Sequence, residues 1–431
     1  MEETLFLGVA RRKITPKVGA CLYGYRPNHK SESVNDDLTA TAFYFVQGEA
    51  RALLVSVTVA EVHRDIVAEI VSAVEKKHGI SRSAIILHSI HTHSGPNLIG
   101  TFGWGDIDAE YRDEIFIPEV LKTVDEAVAS PVPVTMAIAT GESLVGVNRR
   151  QLGLDNEVGL GQCTWGPFDP QMTILSFRGG DGACVANLIH YGAHPTASGM
   201  NVEITRDWPG VMMDALEAKT GGVSAFINGP EGDVGPRLAN GWTTADLPQA
   251  MAHGKWAGED ACRIFENMGE YHTPRLASYS GEVALPILPR IPLEEAKAEY
   301  ENYKGSTSNS LAQRANYYKK VIASYEDAYT EEATRSFMQT VIRLGDVAIV
   351  SFPFELFSEI GLRIKKGSDI PHVLSLALAN GSSGYFAAES DLCRGGYEII
   401  MSRTANVQPY APNADFYAVT GTLANLKKTE E

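Results

Sequence analysis

The sequence predicts an α/β fold, and three observations carry that expectation. Short apolar runs recur at residues 52–57, 84–87, 134–138, 172–177, 184–189 and 223–227. Amphipathic stretches with helical spacing lie between them, the alternation that strand and helix units produce. Several runs also hand over directly to loops bearing Gly, Pro and His, where α/β folds place their sites.

Taken in chain order, Met1-Glu2-Glu3-Thr4 leads straight into a strand-like segment. A first helix is predicted over 61–77, because Val62, Ile66, Val67, Ile70, Val71 and Val74 share one face and Gly79 supplies a stop. A second begins near Asp207, where Trp208-Pro209 suits a first turn, and ends at Gly221. Residues 292–330 turn rich in Glu, Ala, Lys, Tyr and Gln, with a polar break at 305–310. They read as a helical excursion of two helices packed on the domain. Residues 340–343 and 347–351 flank Leu344-Gly345-Asp346, the pattern of a tight hairpin. With no internal repeat, the whole of 1–431 reads as one domain without a C-terminal accessory domain.

Composition narrows the function. With 431 residues, 44% hydrophobic and 21% charged, the chain can bury a large core. A net charge of -16 without a dense Lys/Arg cluster argues against nucleic acid and stable membrane association, since both need a basic patch. No apolar run approaches the roughly 18 residues of a membrane helix. Cys21, Cys163, Cys184, Cys262 and Cys393 are odd in number and never form CxxC, so neither a disulfide framework nor a thiolate zinc site is expected. The opening residues lack the zones of a secretory signal, which makes the cytoplasm the expected address. The expected partner is a small-molecule substrate; a homo-oligomer is left open.

The chemistry gathers in five strand-to-loop handovers. His91-Thr92-His93-Ser94-Gly95-Pro96 follows the run at 84–87, and in an extended segment residues i and i+2 would point into one cavity. Imidazole is the commonest zinc ligand. His194 follows the run at 184–189, with Pro195 keeping it in a loop. Phe226 to Arg237 contains Glu231 and Asp233 among three glycines and two prolines; both acids are expected to fix the loop by accepting backbone hydrogen bonds rather than to bind metal. Glu355 follows Val350-Ser351-Phe352-Pro353-Phe354 and is expected to open an amphipathic helix. The last handover carries Tyr385 and Tyr397, which alone would read as half-buried loop tyrosines.

In this order the segments resemble the catalytic domain of the neutral, non-lysosomal ceramidases, zinc-dependent amidases that cleave the N-acyl bond of ceramide. The resemblance runs from Gly8-Val9-Ala10, Ile14-Thr15-Pro16 and Gly24-Tyr25 to about Arg403, and HTHSGP is its most specific piece. It implies mixed β-sheets flanked by helices and one catalytic Zn2+ per chain. It makes His91, His194, Glu355 and Tyr385 the metal ligands. The same resemblance makes His93 the histidine beside the metal and Tyr397, twelve positions after Tyr385, a further active-site tyrosine. Arg149, in Val147-Asn148-Arg149, matches the family's active-site arginine.

One position departs from the pattern. Where ceramidases carry an essential serine in a GDVSPN-like loop, this chain has Gly235 in Gly232-Asp233-Val234-Gly235-Pro236-Arg237. Ceramide itself is therefore not the expected substrate, and Arg237 adds a charge suited to a polar or anionic one. The expectation is a metal-dependent amidohydrolase that cleaves an amide, or a related ester or lactone, of a soluble polar molecule by metal-activated water. His93 would shuttle the proton, and Tyr397 with Arg149 would stabilise the oxyanion. Two alternatives stay open: a metal-dependent lyase or other carbonyl chemistry on a sugar-like compound, and a non-catalytic binding homologue.

Overall fold

Eight strands form one mixed sheet in the spatial order Val223–Asn228, Cys184–Tyr191, Gln171–Gly179, Val132–Glu142, Phe6–Lys13, Thr39–Gln47, Ala50–Val57 and Ile85–Ser89. The computed structural model describes residues 3–306 and 309–430. The outermost pair at each end of this sheet is parallel and the pairs between are antiparallel. A second sheet of four strands, Leu276–Pro286, Thr334–Leu344, Val347–Ser351 and His372–Leu376, also ends on a parallel pair.

The two sheets face each other. Phe43, Phe45, Leu54, Ile86, Leu188 and Ile227 of the large sheet pack with Ile342, Leu344, Ile349, Leu374 and Leu376 of the small one. Each such side chain contributes about 1.5–3 kcal/mol when fully buried. The other face of the large sheet is covered by helices Arg64–His78 and Ile117–Ala129 on one half and Asp207–Thr220 and Leu247–Phe265 on the other. Helices Ser358–Gly367 and Ala414–Lys427 cover the outer face of the small sheet. This helix–sheet–sheet–helix layering is the mixed α/β arrangement expected from the sequence. Among the described residues, no helix is long and apolar enough to cross a membrane.

Local details follow the expected signals, with four differences. The helices at 64–78 and 207–220 stop where expected, on Gly79 and Gly221, each in the left-handed conformation and each donating its N–H back into the last turn. The first helix starts at Arg64 rather than Glu61, because His63 caps it by accepting from Asp65 N at 3.3 Å. Glu61 is thereby left outside the helix. The hairpin forms between Leu344 and Val347, but its first strand begins at Thr334, extended by full pairing with Leu276–Pro286. The excursion forms Leu293–Tyr303 and Asn309–Glu326, which meet through Ala296, Tyr317 and Val321; Thr307 and Ser308 of the expected turn lie outside the described residues.

Glu355 does not open a helix. It lies in the two-residue strand Glu355–Leu356, parallel to Tyr385–Phe386, and the helix begins only at Ser358, whose N–H and hydroxyl are taken by Asp233 at 2.7 and 2.8 Å. The HxH pair is not extended either, since the strand ends at Ser89 and His91 has φ 75°. Left-handed backbone at a non-glycine residue costs energy and concentrates at functional sites.

Candidate metal centre

The strands Ile85–Ser89, Cys184–Tyr191, Val223–Asn228, Val347–Ser351 and His372–Leu376 deliver their following loops to one place between the sheets. His88 ties those loops together from inside: its Nδ1–H donates to Ala377 O at 2.8 Å and its Nε2 accepts from Asn228 N at 2.9 Å. The backbone of 377–380 is laced onto the Ile85–Ser89 strand through Ser89 N to Leu378 O and Asn380 N to Leu87 O.

His91 and His194 are oriented alike. His91 donates Nδ1–H to Ala60 O at 3.1 Å, and His194 donates Nδ1–H to Glu231 O at 2.7 Å. In the neutral ring that a metal requires, an Nδ1–H held by a carbonyl leaves Nε2 bare; among the protein groups alone, burial lowers His91 but the facing Glu355 carboxylate raises it on balance. Both Nε2 atoms face the same carboxylate oxygen, Glu355 Oε2, at 3.3 and 3.1 Å. All three side chains are buried. This is the arrangement in which a protein holds zinc-binding imidazoles, with the second ring nitrogen fixed by a carbonyl. Ligands on a tetrahedral zinc, at bonds of about 2.1 Å, stand about 3.4 Å apart, so the donor set fits such an ion.

Tyr385 enters opposite Glu355, as its partner in the parallel strand pair. Its ring stacks on that of His194 with centroids 6.5 Å apart, and its hydroxyl accepts from Arg149 Nη2 at 2.8 Å. Arg149 is buried and also donates from Nε to Glu398 at 2.8 Å, while Glu398 receives a second buried arginine, Arg150, at 2.8 Å. Tyr397 packs edge-on against Tyr385 at 5.8 Å. The sequence-predicted residues thus come together, but Arg149 stands behind Tyr385 rather than on the open cavity.

His93 differs from the other two histidines. Its Nε2 lies 3.3 Å from His91 Nε2, yet its Nδ1 has no hydrogen-bond partner among the described residues. Aromatic rings hold it instead: Tyr23 and Tyr25 meet it edge-on at 5.5 and 5.4 Å, and Trp104 at 6.4 Å. The backbone of Gly24 presses on the same ring. A Cβ there would sit 2.2 Å from His93 Nδ1, and φ of 113° also demands glycine.

A cavity of about 590 Å³, the size of a small-molecule site, opens onto Glu355, Tyr385 and Tyr397. Its remaining lining includes Tyr23, Trp104 and Ser382, and one wall comes from the helical excursion through Gln313, Asn316 and Lys320. Sequence reasoning missed Glu61, which lines this cavity and groups with His91 and Glu355, with ligand atoms within 4.8 Å of one another. It stood hidden inside an expected helix. Tyr23, beside the Gly24-Tyr25 match, carried no signal of its own.

The glycine-rich loop corrects one expectation and supports another. Asp233 fixes the loop as expected, accepting from Ser358 and from Asn148. The Glu231 carboxylate does not; neither oxygen has a partner among the described residues, and it is the Glu231 carbonyl that anchors His194. Gly235 pairs with Val147, and a Cβ on it would meet Thr243 Cβ at 2.6 Å. Neither Gly235 nor Arg237 lines the cavity, so the charge of Arg237 does not face it as expected.

Electrostatics follow from burial and the concentration of charge. Burial pushes the Glu355 carboxyl up, but His91 and His194 outweigh it and hold it well below the ordinary range. Burial lowers His194 to about 3, with Arg149 adding to the effect. His93 is held well below its usual value by burial and by the neighbouring His91 and His194. Burial and the Glu355 charge raise Tyr397, and burial raises Asp233 to about 7.

No family model matches the chain, and no curated protein sequence matches it. Among solved structures, the neutral ceramidase from Pseudomonas aeruginosa superposes with a TM-score of 0.75, covering 98% of this chain and 74% of that one at 18% identity. A structure described as ceramidase complexed with C2 gives a TM-score of 0.73, covering 99% of this chain and 76% of that one at 16% identity. The chain therefore has the neutral ceramidase-like fold along nearly its whole length.

Proposed function

We propose that the protein is a zinc-dependent hydrolase that cleaves an amide bond, or a related ester or lactone, in a small polar substrate. The observation that carries this reading is the pair His91 and His194, each anchored through Nδ1 to a carbonyl and each turning Nε2 onto Glu355. With Tyr385 they form an N,N,O,O set, the kind that leaves a catalytic zinc an open position. A zinc held by these residues would supply a Lewis acid to polarise the scissile carbonyl and activate water.

The chain's own residues do the rest. His93, without a carbonyl anchor and kept neutral by burial and by His91 and His194, is the ring available to accept the proton of the attacking water and return it to the leaving nitrogen. Tyr397 donates its hydroxyl to the oxygen on which charge develops. Arg149 acts through Tyr385, whose hydroxyl it orients. The cavity sets Glu61, Arg64, Lys320 and Arg335 among Ile99, Phe102, Trp104 and Met401, a lining that favours a substrate with polar or charged groups over a wholly apolar one. Five free thiols and a charge of -16 suit the reducing cytoplasm as the place of action.

The test is a panel of amide, ester and lactone substrates on zinc-loaded wild type and on His91→Ala, run in heavy-oxygen water. Hydrolysis places solvent oxygen in the acid product of wild type only. A product without solvent oxygen means elimination, and equal turnover by both proteins removes the metal from the reaction.

A further inference from the structure

Glu61 is a buried carboxylate that no lysine or arginine pairs among the described residues, with His91 as its basic neighbour. It is 4% exposed, its Oε1 accepts from Tyr23 OH at 2.6 Å, and its Oε2 accepts from Ser382 Oγ. Among the described residues no Lys or Arg forms an ion pair with it. Burying an uncompensated charge costs several kcal/mol, and two neutral hydroxyls orient a carboxylate without neutralising it. Burial and the neighbouring Glu355 raise the Glu61 carboxyl, and the four-ligand set already contains one carboxylate, so an ionised Glu61 calls for a cationic partner from outside the chain. It also faces the cavity.

The basic side chains of the same cavity stand elsewhere: Arg335 is half-buried and engaged by Gln408 O at 3.2 Å and the Tyr410 ring, and the other two face solvent. Arg64 is 81% exposed at its side chain, and Lys320 is exposed on the helical excursion. The lining is thus anionic on its buried side and cationic towards solvent.

We infer that the substrate carries a protonated amine on the acyl side of the scissile bond, held by Glu61, and an anionic group on the leaving side, facing Lys320 and Arg64. The chemical class is an aminoacyl amide whose leaving amine bears a carboxylate, as in a dipeptide. The inference rests on the hydrolytic reading above and names its substrate class. Glu61 ligand atoms lie within 4.8 Å of those of His91 and Glu355. An ammonium on Glu61 is then only an atom or two from a carbonyl at the metal, the separation in an α-amino acyl group. Tyr23 and Ser382 keep the carboxylate pointed there.

The experiment uses full-length zinc-loaded protein with alanyl-4-aminobenzoate, its N-acetyl derivative and alanyl anilide. Binding is measured by calorimetry and turnover by release of the aromatic amine. Wild type should prefer the free amine over the N-acetyl form by about 10- to 100-fold in Kd, the worth of a charge-assisted hydrogen bond. Glu61→Gln should abolish that preference with zinc content unchanged, and Ser382→Ala should weaken it. Lys320→Ala should reduce the preference for the aminobenzoate over the anilide. Equal binding of free and acetylated amines by wild type overturns the inference, and loss of zinc from Glu61→Gln makes the residue a metal ligand instead. A preference in binding without turnover supports the amine site while sinking the hydrolytic reading.

Discussion

Glu355 and Tyr385 stand opposite each other in a two-residue parallel strand pair, so backbone register alone sets a carboxylate-bearing and a phenol-bearing residue side by side. The pair is locked by Glu355 N donating to Gly384 O at 3.0 Å and Phe357 N to Phe386 O at 3.1 Å. A ligand set built on paired backbone is more exact than one carried by free loops.

Replacing Glu355 with Gln should therefore leave the fold intact and weaken zinc binding by more than about 100-fold, beyond what loss of an outer partner costs. Competition with a chromogenic chelator reads the affinity. Wild-type affinity in the variant would remove Glu355 from the set.

Arg149→Ala should cost both stability and rate. It leaves Tyr385 without its 2.8 Å donor and Glu398 with only one of its two arginines. Breaking a buried pair costs about 3–5 kcal/mol; the remaining Arg150 places this case at the lower end. Urea unfolding measures it, and Arg149→Lys should not restore Tyr385, since an ammonium cannot serve both partners in fork geometry. A variant as stable as wild type would contradict the buried network.

Gly24→Ala acts on the proton carrier. Its Cβ would fall 2.2 Å from His93 Nδ1. The variant should retain zinc and lose at least about tenfold in rate, within the usual worth of acid–base catalysis. Unchanged turnover would argue against His93 in that role.

Gly235→Ser should destabilise the protein by about 1–3 kcal/mol through overpacking against Thr243. In a Thr243→Ala background most of that cost should vanish. A stable single variant would mean that the Thr243 segment moves aside.

Acid should unfold the protein through buried neutral histidines. Burial lowers His88 to about 3 and His190 and His253 to about 4, from 6.5. The unfolded chain then binds these protons more readily. Their contribution to stability is complete above about pH 6.5 and is lost as pH falls through 4 towards 3. Each contributes a slope of about 1.4 kcal/mol per pH unit in that window. Urea titrations across it should flatten by one such slope in His88→Gln; an unchanged slope would mean His88 does not take up a proton on unfolding.

Much of this was legible in the sequence, because apolar runs, glycine stops and His-bearing loops are local signals. His91 and His194 sit where those signals ended. Their convergence was not local: His91 reaches the centre through left-handed backbone rather than an extended strand, and Glu355 through a short strand rather than a helix start. Glu61 was invisible because its helix-compatible spacing hid it, and only the His63 cap excludes it from the helix. The Arg149, Arg150 and Glu398 network spans distant segments, and no spacing rule joins them.

The central claim is a zinc centre built on His91, His194, Glu355 and Tyr385. Elemental analysis after equilibration with zinc and desalting tests it most directly. Wild type should hold one zinc per chain and His91→Ala should hold essentially none. A metal-free wild type, or a His91→Ala variant that keeps its zinc, would contradict it.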